Sequence, residues 1–123
     1  MAGVFYLVTN LFILTQNNTG VNVYTNHSVT VGFPLRIVIE ADRPLDENFQ
    51  DIYLIDSKGI RHNIILYFLN NRFEGEVDTL PFSCGIASLF VRVKDDVGTF
   101  LEQHLYLLRL CPLTRLAELS QRN

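Results

Sequence analysis

The chain is poor in the residues that carry cross-links and specialised chemistry. It has no tryptophan, two cysteines and one methionine in 123 residues, and its ten lysines and arginines are scattered without a run. Nucleic-acid binding needs a basic face that displaces counterions from phosphate, whereas this chain carries a net charge of −3. A chain of this length can bury an adequate core without metals or disulfide staples. We therefore expect no nucleic-acid partner and no bound cofactor.

No apolar run is long enough to cross a membrane. The longest stretch, residues 4–14, is interrupted by Thr9 and Asn10 and has no basic segment before it. A bilayer span needs about 18–20 apolar residues, and a signal peptide begins with basic residues. We expect neither here. The stretch instead predicts one long strand over residues 3–15 that kinks at its interruption.

The composition is that of one globular domain. Hydrophobic residues make up 48% of the chain and charged residues 19%, which excludes a disordered chain or a coiled coil. Pro112 cannot donate to a strand ladder and should end the last strand. We therefore assign residues 1–112 to the domain. Residues 113–123 are predicted to form a short, amphipathic, helical tail.

Apolar and polar residues alternate with a period of two along most of the chain, which is the pattern of strands. The clearest case is a predicted hairpin over residues 80–110, with a turn at 95–99; residues 42–48 are expected to form a charged loop. About seven to nine strands with turns between them predict an all-β, antiparallel β-sandwich. The residues on the apolar phase, and so the predicted core, are Leu35, Ile37, Ile39, Ile52, Leu54, Phe73, Val77, Leu89, Val91 and Val93.

The order of turns and strands in the middle and end of the chain resembles a bacterial or archaeal immunoglobulin-like (fibronectin type III-like) domain. The matching features are the turn Asp56-Ser-Lys-Gly59, Phe73-Glu-Gly75, Leu80-Pro81, Gly85, the strand Leu89-x-Val91-x-Val93-Lys-Asp95 and Gly98. The resemblance covers about residues 30–108, but the chain lacks the paired cysteines and the buried tryptophan of antibody domains. It implies an immunoglobulin-like sandwich with an interaction or spacer role and no enzymatic activity.

The residues that could carry catalysis or bind metal are dispersed. His27, His62 and His104 lie in different elements and lack metal-ligand spacing, and His104 is too far along its strand to activate Cys111. Acidic residues at 42–47 and 95–96 form two loops that could hold calcium, although aspartate also suits turns for its own hydrogen bonds. We expect turns rather than a calcium site, and a protein that is not an enzyme.

The two cysteines could meet at the base of the predicted hairpin. If Asp95 pairs with Phe100 around a four-residue loop, Cys84 lies directly opposite Cys111. Cross-strand Cβ atoms are about 4.5–5.5 Å apart, which local adjustment can bring within bridging distance. The sequence leaves two possibilities, a disulfide between them or two free thiols.

The first and last strands are apolar on both faces, which one sandwich core cannot wholly absorb. Candidate interface residues are Val4, Tyr6, Val8, Leu11, Ile13, Tyr106, Leu108 and Leu110. We expect a structural or interaction module that assembles with itself or into a virion, tail, pilus or cell-surface structure. The location expected from this is a virion or the cell exterior rather than the cytoplasm.

The alternative function is an extracellular ligand-binding or carbohydrate-binding module. Such modules usually present aromatic side chains to the ligand, and the candidates are Tyr24, Tyr53, Tyr67 and Phe90. Three or more aromatic rings aligned on one exposed face would favour this alternative. A buried intersubunit face on the terminal strands would favour assembly.

Overall fold

A computed structural model describes residues 12–13, 20–26 and 28–111, with the backbone alone for 12–13, 105–109 and 111. The described residues form ten strands and no helix. Their bounds are β1 (Phe12–Ile13), β2 (Val21–Thr25), β3 (Ser28–Thr30), β4 (Pro34–Ala41), β5 (Leu45–Ile55), β6 (Arg61–Ile64), β7 (Tyr67–Leu69), β8 (Arg72–Asp78), β9 (Gly85–Asp95) and β10 (Phe100–Cys111). The predicted tail, residues 113–123, and most of the predicted first strand lie outside the described residues.

The strands form two five-stranded sheets packed face to face. The first sheet has the order β1-β2-β4-β8-β7, and the second has the order β3-β10-β9-β5-β6. Every neighbouring pair is antiparallel except β3 and β10, which are parallel. The predicted antiparallel β-sandwich is therefore confirmed. The structure has ten strands where seven to nine were expected. Three of the ten are short: β1 has two residues, and β3 and β7 have three each.

The core lies between the two sheets and contains the residues on the apolar phase of each strand. Nine of the ten predicted core residues are buried, and Val77 is partly buried against them. Phe73 is fully buried, and its ring meets that of Phe68 edge-to-face at 4.9 Å. The alternation in the sequence thus identified the inward face correctly, because burying one face of each strand fixes its register.

Two predicted segments differ from the structure. The predicted loop 42–48 ends early because β5 begins at Leu45, with an irregularity between Leu45 and Gln50. The period-two alternation of residues 60–68 predicts one strand, but the structure forms two there, β6 and β7, which belong to different sheets. Between the two strands, the side-chain amide of Gln50 satisfies the backbone of Leu66: it accepts a hydrogen bond from the Leu66 nitrogen at 2.8 Å and donates one to the Leu66 carbonyl at 2.9 Å.

The β9–β10 hairpin also differs from the predicted register. The backbone nitrogen of Asp95 donates a hydrogen bond to the Thr99 carbonyl. Phe100 therefore pairs with Lys94 rather than with Asp95. A bulge between Leu105 and Leu108 then shifts the pairing by one residue. A shift of one residue turns the other face of a strand inward.

This bulge corrects the prediction that Leu110 lies on an outer surface. Before the bulge the odd-numbered Leu101 and Gln103 are buried, whereas beyond it the even-numbered Leu110 is 2% exposed and belongs to the core. The change of phase explains how Leu101 and Leu110, which lie on opposite alternations, are both buried. It weakens the sequence argument that β10 has surplus apolar surface.

Candidate functional site

The outer face of the second sheet carries side chains in ordered rows across its strands. Tyr53 on β5, Phe90 on β9 and His104 on β10 are paired directly in the ladder, and we call them the aromatic row. Two residues away along each strand, Asp51, Arg92 and Glu102 are paired in the same way and form the charged row. Because a strand rises about 3.3 Å per residue, the two rows lie roughly 7 Å apart.

The members of the aromatic row stack on one another. The rings of Tyr53 and Phe90 have centroids 4.7 Å apart with 12° between their planes, and Phe90 and His104 are 3.6 Å apart at 29°. The guanidinium carbon of Arg61, on β6, lies 3.7 Å from the centroid of Tyr53. The ring faces are thus occupied by one another and by Arg61. The row offers its edges, rather than a flat platform, to whatever approaches the sheet.

The charged row consists of ion pairs that are partly open to solvent. Arg92 Nε lies 3.0 Å from Glu102 Oε1, and Arg61 Nη2 lies 3.5 Å from Asp51 Oδ1. The guanidinium carbon of Arg92 also lies 4.0 Å from the ring centroid of Phe100. Each carboxylate therefore has one arginine partner within the site.

A third row lies on the far side of the charged row. The rings of Phe49 and Phe100 meet edge-to-face at 5.4 Å. Lys94 Nζ lies 5.1 Å and 5.2 Å from their centroids. Phe100 is 45% exposed, so this row adds accessible apolar area next to the charged row.

An open groove of about 640 Å³ runs between the aromatic row and the charged row. Its walls are the members of the two rows, and Val91 and Gln103, whose side chains are buried, contribute its floor. Ligand pockets typically measure roughly 300–1,000 Å³ and combine apolar walls with a few convergent polar groups. Burial lowers the pKa of His104 below its usual value, so the imidazole in this wall is held in its neutral form at neutral pH.

A second group of titratable side chains lies at one end of the sandwich, where Asp56 is buried. His62 Nε2 lies 2.8 Å from Asp56 Oδ2, and the Ser83 nitrogen donates to the same oxygen at 3.2 Å. Burial alone would raise the pKa of Asp56, but the hydrogen bonds from His62, Ile60, Ser83 and Lys58 outweigh it and hold that pKa well below its usual range. We call this group the Asp56 clasp; it joins the β5–β6 turn to the β8–β9 loop.

The two acidic loops considered for calcium are joined by an arginine. Arg43 Nε lies 2.8 Å from Asp42, and Arg43 Nη1 lies 3.6 Å from Asp95. Asp95 also accepts hydrogen bonds from the nitrogens of Val97 and Thr99. Among residues 12–13, 20–26 and 28–111, no three His, Cys, Asp or Glu side chains come together as a metal site. The described chain also has no helix that is long and apolar enough to cross a membrane.

The structure brings together half of the aromatic candidates taken from the sequence. Tyr53 and Phe90 are neighbours, whereas Tyr24 and Tyr67 lie on the first sheet. Arg61 and the partners in the charged row were not singled out from the sequence, and His104 was considered there only as a metal ligand or a catalytic base. Their signal is the hairpin register: with a three-residue loop, Phe90 faces His104 and Arg92 faces Glu102.

The remaining sequence candidates stand apart from the groove or outside the described part of the chain. Cys84 is exposed with a free thiol, and its carbonyl accepts a hydrogen bond from Ser57. The side chain of Cys111 is not among those described, so the disulfide stays a prediction. The described side chains also leave out His27 and the interface candidates Val4, Tyr6, Val8, Leu11, Ile13, Tyr106 and Leu108, so their roles stay predictions.

Comparison with known proteins identifies a similar fold and no family. No family model matches the chain, and no curated protein matches it. The crystal structure of CopC from Methylosinus trichosporium OB3b is similar, with a TM-score of 0.51 over 70% of this chain and 83% of CopC. At 13% sequence identity, the likeness concerns the fold alone. This chain is therefore a β-sandwich similar in architecture to CopC.

Proposed function

We propose that this chain is a non-enzymatic recognition module with an immunoglobulin-like sandwich, and that its ligand binds in the groove on the second sheet. The observation that carries the proposal is the pairing of an aromatic row with a charged row across β5, β9 and β10. Two of the aromatic residues expected for a ligand-binding module, Tyr53 and Phe90, are two of the three members of the aromatic wall.

The construction of the groove suits recognition. Its walls stand on three adjacent strands of one sheet, so the backbone that positions them is fixed by ladder hydrogen bonds on both sides of β9. Sites built on strands are positioned more accurately than sites on loops. Stacking and ion pairing also fix the rotamers of the wall residues before a ligand arrives, which lowers the entropy cost of binding.

A fragment screen followed by ¹⁵N–¹H NMR tests this proposal. We expect fragment hits to shift the amide signals of residues 51–53, 90–92 and 102–104 in the wild type. Tyr53→Ala removes one end of the aromatic row and should abolish most of these shifts. Tyr67→Ala is the matched control, because Tyr67 is 80% exposed on the other sheet and should leave them unchanged. Fragment hits that shift amides elsewhere, or that shift these amides equally in Tyr53→Ala, would contradict the proposal.

Self-assembly is the second candidate, and a row of exposed apolar side chains at one sheet edge favours it. Ile65 is 79% exposed, Tyr67 80% and Leu69 56%, and all three lie along the edge strand β7 or immediately before it. The Gln50 side chain already occupies the backbone groups of Leu66. Strand addition at Leu66 itself is therefore blocked, and the exposed apolar side chains would supply the contact between copies.

Sedimentation velocity over a range of concentrations distinguishes this candidate. If copies associate through β7, the sedimentation coefficient of the wild type rises with concentration and that of Tyr67→Lys does not. A wild type that stays monomeric at high micromolar concentration removes the candidate. A variant that still associates like the wild type excludes this edge as the contact.

A further inference from the structure

Each charged side chain that lines the groove has a partner of opposite charge, although the partner of Asp51, Arg61 on β6, is not itself part of the lining. Arg61 pairs with Asp51 at 3.5 Å, and Arg92 pairs with Glu102 at 3.0 Å. The side chains are 41–66% exposed, so both pairs are accessible to a ligand. An anionic ligand would meet the two carboxylates, and a cationic ligand would meet the two guanidinium groups. Either would have to displace an existing partner, whereas a neutral ligand need not.

The paired groups still have hydrogen-bonding capacity for a neutral ligand. A guanidinium has five N–H donors and a carboxylate has about four acceptor sites, and one ion pair uses only part of each. The charged wall therefore offers donors and acceptors side by side. A hydroxyl group both donates and accepts, so a ligand rich in hydroxyl groups matches this wall better than one with donors alone or acceptors alone.

The opposite wall is apolar. Tyr53, Phe90 and His104 present ring edges along the groove, and burial keeps the imidazole neutral. A ligand between the walls needs hydroxyl groups on one side and C–H groups on the other. Sugar rings have this division, with hydroxyl groups at the rim and C–H groups on the ring faces.

The shape of the groove favours an elongated ligand. It crosses from β5 to β10, a distance of two strand spacings or roughly 10 Å. At the β6 side Arg61 contacts both walls, since it stacks on Tyr53 and pairs with Asp51. At the β10 side the wall ends with Glu102, whose side chain is 66% exposed. A chain of linked units can thus lie in the groove with one end against Arg61.

We infer that the ligand of this groove is a neutral oligosaccharide, with its hydroxyl groups on the charged row and its C–H groups in van der Waals contact with the ring edges of the aromatic row. The inference rests on the proposed function, because it names the ligand class for the same groove. The ligand is thus an uncharged saccharide chain, and neither an anionic uronate chain nor a cationic amino sugar chain.

The test is an NMR titration of ¹⁵N-labelled protein with defined oligosaccharides. The probes are maltohexaose, cellohexaose, mannohexaose and xylohexaose as neutral chains, hexagalacturonate as an anionic chain and the glucosamine hexamer as a cationic chain. We expect at least one neutral chain to shift the amides of residues 51–53, 90–92 and 102–104 at millimolar concentration. Both charged chains are expected to bind more weakly.

A pair of glutamate variants supplies the control. Glu102→Gln removes one charge from the groove, leaves Arg92 without its anion and should weaken binding roughly tenfold, the effect of losing one charge-assisted hydrogen bond. Glu76→Gln makes the same change on the first sheet, where Glu76 lies opposite Arg36 and their side chains are 3.9 Å apart. It should bind like the wild type, and equal melting temperatures will establish that both variants fold.

The outcomes separate the two proposals. If fragments bind the groove but no neutral chain does, or if a charged chain binds more tightly, the oligosaccharide inference is overturned and the recognition site remains. If neither fragments nor saccharides bind there, both proposals are overturned. Equal weakening by Glu102→Gln and Glu76→Gln would contradict binding in the groove.

Discussion

The Asp56 clasp gives the sharpest test of how the sandwich is held together at one end. Its Oδ1 accepts hydrogen bonds from the nitrogens of Lys58 at 3.0 Å and Ile60 at 3.1 Å, within the β5–β6 turn. Its Oδ2 accepts from Ser83 at 3.2 Å and meets His62 at 2.8 Å. One oxygen thus fixes the local turn, and the other connects that turn to the β8–β9 loop.

Asp56→Asn separates these two roles. Asparagine keeps one oxygen for the turn, but its NH₂ group replaces the oxygen that faces Ser83 and His62. A hydrogen bond to a charged group contributes about 1.5–3 kcal/mol, and two are lost here. Allowing for partial rearrangement, we expect the free energy of unfolding to fall by about 3 kcal/mol at pH 7.

Asp95→Asn is the matched control, because Asp95 stands in a turn of the same kind. Its Oδ1 accepts from Val97 at 3.1 Å and Thr99 at 2.7 Å, and its Oδ2 has only Arg43 at 3.6 Å. Arg43 is 42% exposed, although the Asp95 carboxylate is only 2% exposed; an ion pair with one partner open to solvent contributes about 1 kcal/mol. Urea unfolding should therefore show a loss of about 1 kcal/mol or less for this variant.

The pH dependence follows from the lowered pKa of Asp56. A carboxyl whose pKa is lower in the folded state stabilises the fold above its unfolded pKa, and the contribution is lost as the pH falls below it. Wild-type stability should thus decline as the pH drops below 3.8, the ordinary aspartate value. Asp56→Asn should flatten this decline. Equal losses for the Asp56 and Asp95 variants, or an unchanged acid limb, would refute the reasoning about the clasp.

Three further predictions concern the core, the groove wall and the cysteines. Phe73→Ala should lower the free energy of unfolding by about 2–5 kcal/mol, measured in urea, and a cost below about half a kcal/mol would contradict its place in the core. Because burial lowers the pKa of His104, the unfolded chain binds its proton more tightly, so stability should fall as the pH drops below about 6.5; His104→Gln should remove this part of the dependence. Leu110 pairs with Gly85, so Cys111 and Cys84 occupy the next position of the ladder. We expect oxidation to form a disulfide between them. Two free thiols, detected by mass spectrometry after oxidation, would exclude the disulfide.

Much of the fold was predictable because it depends on local alternation and turn chemistry. Burial of Ile37, Leu54 and Val93 follows from the period-two pattern, since each sheet has one covered face. The turns at Gly59 and Gly98 were signalled by glycine four residues into an Asp-containing turn, and both adopt positive φ, +79° and +91°. These features need no knowledge of distant residues.

The structure differs from the sequence predictions where a distant residue or a one-residue shift in register determines where a strand ends or which face is buried. Residues 60–68 alternate like one strand, but the structure has two strands there, and between them the backbone of Leu66 is bound by the side chain of Gln50, 16 residues away in sequence. The bulge after Leu105 cannot be located by alternation in a run of leucines, yet it turns Leu110 into the core.

The groove could be predicted only in part for the same reason. Tyr53 and Phe90 were recognisable as aromatic candidates, but their alignment with His104 depends on the hairpin register and on the pairing of β5 with β9. A loop longer by one residue would place different side chains opposite Phe90. The walls of the groove are therefore a property of the assembled sheet rather than of any sequence motif.

The most direct test of the groove is a crystal structure of the protein with the neutral hexasaccharide that binds it most tightly. We predict sugar density between the aromatic row and the charged row, with hydroxyl groups within hydrogen-bond distance of Asp51, Arg92 or Glu102 and one end against Arg61. A saccharide bound on the first sheet or along β7, with the groove unoccupied, would contradict the assignment of the recognition surface.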